Sequence, residues 1–342
     1  MDGTETRKSA PTVADVAKLA GVSTATVSRC LNSPGQVVAK TRDKVQKAVA
    51  ELGYAPNFSA QALASKQTNT VGAVIPTMEN AVFARGIQAF QEELGRHGKT
   101  LLIASSSYQQ DLEESQVRTL VARGADAILL IGYDRDQSLY DFLAAREVPT
   151  LVSWSYDAGR AQAAIGFDNE VAMAELARVG LNSGHCHIGA ISAPMAANDR
   201  ARSRVEGIRR AMAEVGLDPG ALAVIETPYG IENGEGALRT LLAQAPQTTL
   251  VMCGNDVLAI GALRAAKEMG LSVPKDISIT GFDDLEIAQL ADPSLTTVHV
   301  PHREMGRRAA MSLIQMLNKG SAVESLKLPT DIRLRQSLGK AP

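Results

Sequence analysis

Thr24, Ala25, Ser28 and Arg29 recur at helical spacing and project together as one small, polar face. Chemistry of that kind suits the edge of a nucleic-acid base. A guanidinium can hold O6 and N7 of a single guanine with two hydrogen bonds, so Arg29 is the side chain best suited to discriminate a base, at about 1–3 kcal/mol. Ala25 could only touch a thymine methyl. Ser23, Thr26, Ser28 and Asn32 are suited to phosphates, which set register without reading sequence.

The elements that must position this face are written into Pro11–Asn32, PTVADVAKLAGVSTATVSRCLN. Thr12 and Asp15 have the spacing of a helix-capping box, and Val13, Val16, Ala17 and Ala20 then mark an apolar stripe. Gly21 ends that helix and Ser23 caps the next, which turns Val27 and Leu31 inward. Two short helices joined by a glycine turn, with small residues where they cross, form a helix-turn-helix. A third helix, opened by Thr41 and facing inward through Val45, Ala48, Val49 and Leu52, completes a three-helix head; Thr41 joins the set of expected DNA contacts.

Phe58–Lys66, FSAQALASK, follows the head and has Leu63 as its only sizeable aliphatic side chain. About nine residues fall short of the ~12–15 that an isolated helix needs in water, so this hinge should order only on DNA. In a dimer, paired Leu63 side chains could wedge between base pairs from the minor groove.

The 342 residues carry a net charge of −2, which conceals an asymmetry. Residues 11–66 hold seven basic against three acidic side chains, a net +4, leaving −6 for the rest. A basic head on an acidic body fits a protein that touches DNA at one end only. Three unpaired cysteines, Cys30, Cys186 and Cys253, and the lack of an apolar leader or long apolar span point to a reducing cytoplasm and no membrane partner.

From Thr70 onward ten short apolar runs alternate with helical patterns: TVGAVIPT, TLLIASSS, AILLIG, PTLVSW, AAIGFDN, HIGAISA, AVIETPY, TLVMCGN, ISITGFDD and TTVHVP. Runs apolar on both faces and separated by helices imply an α/β body of doubly wound parallel sheets. The pattern restarts after Asp168, so the body divides into two lobes with a cleft between them. Ligands of such sheets sit beyond the carboxyl ends of strands, where this chain places Phe83, Trp154, Asn198, Arg200, Arg204, Tyr229, Asn255 and Asp283. Aromatic residues make up only 4% of the chain, so finding Phe83, Trp154 and Tyr229 all at strand ends suggests stacking on a sugar-like face. Asp283 and Arg204 can orient hydroxyls or an acid group, and Arg200 beside Arg204 leans toward an acidic or phosphorylated sugar unless local acids such as Asp199 or Glu206 engage them.

Enzyme classes find little support. No GxGxxG opens a helix after a strand, and neither GxxxxGK[ST] nor GxSxG occurs. His185, Cys186 and His187 are adjacent, so they alternate in direction and cannot close on one metal. No catalytic residue, metal or cofactor is expected.

The chain as a whole resembles the LacI/GalR family of transcriptional regulators. The resemblance rests on VADVAKLAGVSTATVSR, KTRDKV, YAPN and AQALA in the head and hinge, and on NDVLAIGAL, VPKDISITGFDD and LTTVHVP in the body. It implies a helix-turn-helix head over residues 1–57, a hinge over 58–69, and a two-lobed body resembling periplasmic binding proteins. The lobes would comprise 70–168 with 299–327, and 169–298 with 328–342. It also implies a homodimer on near-palindromic operator DNA, acting as a repressor under a small sugar, sugar acid or sugar phosphate. By position, Thr24, Ala25 and Arg29 inherit base reading, Asn57, Gln61, Leu63 and Ala64 inherit hinge contacts, and the eight strand-end residues above inherit the effector site. Where several relatives carry an aspartate this chain has Trp154, so a hydroxyl-binding carboxylate is missing there. No heptad helix follows DIRLRQSLGKAP, which favours a dimer over a tetramer. A periplasmic-type sugar-binding protein would share the body but would need an export signal in place of the basic head.

Overall fold

The computed structural model describes residues 10–32, 34–55, 67–79, 81–319 and 323–342, in two compact units within Met1–Thr68 and Asn69–Pro342. In the first unit, helix α1 (Val13–Ala20) begins with the capping box: the Thr12 hydroxyl accepts from the Asp15 amide at 3.3 Å, and the Thr12 amide donates to the Asp15 carboxylate at 2.8 Å. Gly21, at φ 67°, stops the helix in the left-handed conformation that glycine adopts without strain. Ser23 then accepts from the Thr26 amide at 3.1 Å and starts α2 (Thr24–Asn32).

Helix α3 spans Ala39–Leu52, so Thr41 lies inside its first turn rather than capping it. The Val38 carbonyl accepts from the amides of Thr41 and Arg42 at 3.0 and 3.1 Å, and this backbone start needs no side-chain cap. Val16, Ala17, Ala20, Val27, Cys30, Val45 and Ala48 form the core of the head. Cys30 is one of its packing residues. Asn57, Gln61, Leu63 and Ala64, with most of the expected hinge, lie outside the described residues.

The second unit contains two six-stranded sheets. The first joins β1 (Thr70–Ile75), β2 (Thr100–Ser105), β3 (Ala127–Ile131), β4 (Thr150–Ser153), β5 (Ala164–Gly166) and the late β11 (Leu326–Lys327), all parallel, in the order β11-β5-β4-β3-β1-β2. The second joins β6 (Ile188–Ser192), β7 (Ala223–Glu226), β8 (Leu250–Cys253), β9 (Ser278–Asp283), β10 (Thr296–His299) and β12 (Asp331–Arg333) in the order β12-β10-β9-β8-β6-β7. All ten apolar runs become strands. The expectation of purely parallel sheets needs one correction: β12, reached from β11 of the other sheet through the short segment 328–330, pairs antiparallel with β10 at the sheet edge.

Helices cover the sheets. Those used below are α4 (Ala81–Arg96), α5 (Gln110–Ala122), α6 (Gln137–Ala145), α7 (Asn169–Asn182), α8 (Asp199–Glu214), α9 (Ile231–Gln244), α10 (Asp256–Glu268), α11 (Glu286–Leu290) and α12 (His302–Lys319). The first lobe carries α4 and α12 packed closely together, and the second carries α7 against α8.

Gly306 in α12 sets how near α4 can come. A Cβ at this position would overlap the carbonyl of Gly86, a backbone group that cannot swing aside. Gly306→Ala is expected to destabilise the body by about 1–3 kcal/mol through forced separation of the two helices. Urea unfolding followed by circular dichroism measures this; an unchanged midpoint would contradict such close packing.

Candidate functional site

On α2 the sequence pattern resolves into two faces. Val27 and Cys30 are buried, while Ser23, Thr24, Ala25, Ser28 and Arg29 are exposed and Thr26 is half-buried, its hydroxyl 2.9 Å from that of Ser23. Arg29 forms no hydrogen bond or ion pair with another described residue, which leaves its guanidinium available to an external acceptor. Thr41 is half-buried on α3.

In the body a cavity of about 870 Å³ opens between the carboxyl ends of the two sheets. The first lobe contributes Thr77, Glu79, Ser107 and Tyr108 from the segments after β1 and β2; the second contributes Asn198 and Tyr229 after β6 and β7. Of the eight residues expected in the cleft, Asn198 and Tyr229 line this cavity. The other six do not.

Phe83 and Trp154 belong to the buried core, which corrects the expectation of three aromatics sharing one stacking face. Their rings lie 5.5 Å apart, and the Trp154 indole fills the space left by the missing side chain of Gly86. Tyr108, which sequence reasoning did not select, instead meets Tyr229 across the cleft, with ring centroids 6.0 Å apart. Burial pushes the Tyr108 phenol up, so it remains a neutral hydroxyl.

Arg204, Asn255 and Asp283 form a second, buried layer with Trp154, joined by Asn169 and His302, which no sequence pattern singles out. Asn255 caps α10 by accepting from the Leu258 amide at 2.9 Å. The Arg204 guanidinium lies 3.8 Å from the centre of the Phe282 ring, donates to Asn169 Oδ1 at 2.9 Å and to the Gly254 carbonyl at 2.5 Å, and stands 3.8 Å from Asp283. His302 approaches Asp283 at 3.6 Å and stacks on Trp154. Trp154 Nε1, Asn255 Nδ2, Asp283 Oδ1 and both ring nitrogens of His302 are buried without a hydrogen-bond partner among the described residues. Leaving such a group unpaired costs about 1–3 kcal/mol, which sets this layer apart from the satisfied core around it.

Arg200 faces elsewhere. Its guanidinium donates to the Ile131 carbonyl at 3.2 Å and pairs with Asp199 at 2.8 Å. Of the local acids considered from sequence, Asp199 engages Arg200, while Glu206 pairs with Arg209. The expected divergence of the His185–His187 run is also present: His185 is buried against Thr249 and the Gly339 carbonyl, with Cys186 and His187 exposed. No cluster of metal-binding side chains occurs among the described residues, and none of their helices is long and apolar enough to cross a membrane.

A helix-turn-helix head joined to a two-lobed α/β body with an interlobe cavity defines a ligand-responsive DNA-binding regulator. Residues 12–57 match the profile of bacterial regulatory proteins of the lacI family, and residues 177–338 match that of periplasmic binding protein-like domains. The HTH-type transcriptional regulator GalS of Salmonella typhimurium is 35% identical over 306 residues, 89% of each chain. A lac repressor dimer bound to operator and the anti-inducer ONPF superposes with a TM-score of 0.86 at 28% identity, covering 96% of this chain and 99% of that one. The transcriptional regulator CelR in complex with cellobiose gives 0.69 at 28% identity, with coverage of 96% and 99%. The chain belongs to the LacI family of bacterial regulatory proteins, and is a DNA-binding transcriptional regulator rather than an enzyme.

Two buried groups set opposing pH dependences. Burial pushes Asp283 up to about 7, against the pull of Arg204 and Arg200, so its contribution to stability is complete below the ordinary carboxylate value of 3.8 and is lost as pH rises to about 7. Burial, followed by Arg204, holds His302 down to about 3, so its contribution is lost as pH falls through 6.5. Because these slopes oppose each other between pH 4 and 6.5, Asp283→Asn should leave the His302 slope unopposed, so its melting temperature should rise more steeply with pH across that window than that of the unchanged chain. Parallel melting curves for the two proteins across that range would contradict the assignment.

Proposed function

We propose that this chain is a cytoplasmic, homodimeric repressor that reads a near-palindromic operator with α2 and releases it when a neutral, sugar-like effector occupies the interlobe cavity. The observation that carries this reading is the combination, in one chain, of an exposed reading face centred on Arg29 with an 870 Å³ cavity walled by both lobes. Support for the effector class comes from charge: Arg200 and Arg204 already face Asp199 and Asp283, which offsets their pull on an anion and favours uncharged hydroxyls over the sugar acids and phosphates considered from sequence. The cellobiose held by CelR and the operator held by the lac repressor dimer are consistent with both halves of the proposal. In the effector site, Asn198 and Tyr229 line the cavity, while Arg204, Asn255 and Asp283 belong to the buried layer behind it, with Arg204 and Asp283 near enough to bear on the Tyr108 phenol that does line it.

Selection of duplexes from a random pool by the full chain tests the DNA half. Enrichment of a dyad-symmetric sequence is expected, and Arg29→Lys should weaken binding by about 1–3 kcal/mol at one base pair of each half-site while leaving the other positions unaffected. Enrichment of no sequence, or a uniform loss at every position, would contradict base reading by Arg29.

A further inference from the structure

The amino-terminal end of α8 is built into the opposite lobe. Asp199 Oδ2 accepts from the Tyr133 amide at 2.8 Å, Arg200 donates to the Ile131 carbonyl at 3.2 Å, and Arg202 pairs with Asp134 at 2.8 Å. Three successive charged side chains of the second lobe thus hold one short segment, 131–134, of the first.

That segment is also tied down within its own lobe. Arg135 donates to the carbonyls of Gly132 at 2.8 Å and Ile131 at 3.1 Å, and is itself held by Glu113 at 3.1 Å and the Tyr140 hydroxyl at 2.6 Å. Gly132 sits at φ 70°, and a Cβ there would collide with the Arg200 guanidinium and the Asp199 carboxylate. Only glycine permits both the turn and this approach.

Asn198, immediately before these residues, caps α8 by accepting from the Ala201 amide at 3.3 Å, and also lines the cavity. A ligand touching Asn198 therefore bears on the first residue of the helix whose next turn grips the other lobe.

We propose that Asp199, Arg200 and Arg202 form an interlobe latch on residues 131–134, and that cavity occupancy reaches the operator by shifting this latch, with Arg200 acting as a latch residue rather than an effector ligand. The proposal deepens the repressor reading and rests on it for the link to DNA. Ionic groups at 15% exposure or less, such as Asp199 and Arg200, suit a two-position device, because each loses a partner on opening and regains it on closing. The latch is closed in this structure; with the closed form as the operator-binding one, opening it should weaken operator binding.

Hydrogen exchange on the full chain tests the latch without any ligand or DNA. Arg202→Glu and Gly132→Ala should each speed exchange severalfold in 131–135 and 198–204 together, although these segments belong to different lobes. The paired reversal Asp134→Arg with Arg202→Glu should restore protection. Arg209→Glu, on the same helix but paired only with exposed Glu206, should change neither segment. Faster exchange confined to α8, or no change in either segment, would overturn the latch.

The selected operator duplex then reads the coupling by fluorescence anisotropy. A severalfold loss of affinity in Arg202→Glu, recovered in the paired reversal, is expected. Unchanged affinity in a variant whose two segments exchange faster would overturn the coupling while leaving the latch standing. Failure to select any duplex would instead overturn the repressor reading.

Discussion

The carboxyl ends of two largely parallel sheets face one another across the body, and each polar side chain placed there must find its partner within its own lobe, in the other lobe or in a ligand. This constraint orders the rest of the structure. Arg200, Asp199 and Arg202 satisfy it with groups of the first lobe. Asp283 and His302 meet it only in part, through a contact of 3.6 Å between lobes that leaves polar atoms unpaired. The polar side chains beside the cleft therefore divide into a saturated seam and an unsaturated buried layer. In the proposed repressor, a molecule rich in hydroxyls engages this layer, and its cost or benefit to the seam is what a regulator can transmit.

The head meets a different requirement. Its helices are too short to persist alone, and their stability comes from one small core of valines, alanines and Cys30, reinforced by hydroxyl caps at Thr12 and Ser23. Because the inward positions of α2 are taken up by Val27 and Cys30, the outward positions are free to be polar and small. Packing and reading thus occupy separate faces of a single nine-residue helix.

Much of this was legible from residue types. Caps, the glycine turn and helical spacing disclose the head, and runs of Val, Ile and Leu apolar on both faces disclose two parallel sheets. The short edge strands β11 and β12 are not legible, because two or three residues, exposed but for a half-buried Ile332, carry no pattern. Candidate-site residues were harder to read. Arg200 looks like an anion ligand in sequence because its partner, the Ile131 carbonyl, is a backbone group 69 positions away that no side chain announces. Trp154 looks like a stacking platform, yet Gly86 leaves a hollow that draws the indole into the core. Tyr108, at the end of a polar run, resembled an ordinary loop residue, and only the cross-lobe contact with Tyr229 sets it apart.

The central claim is that occupancy of the interlobe cavity and occupancy of the operator are linked through one chain. The most direct measurement is the affinity of the full-length protein for its selected duplex with and without a neutral sugar that raises its melting temperature. The account predicts that the sugar lowers operator affinity, and that Asp283→Asn abolishes both the thermal shift and this response while the variant still binds the duplex. A sugar that stabilises the protein through the cleft yet leaves operator affinity unchanged would contradict the account.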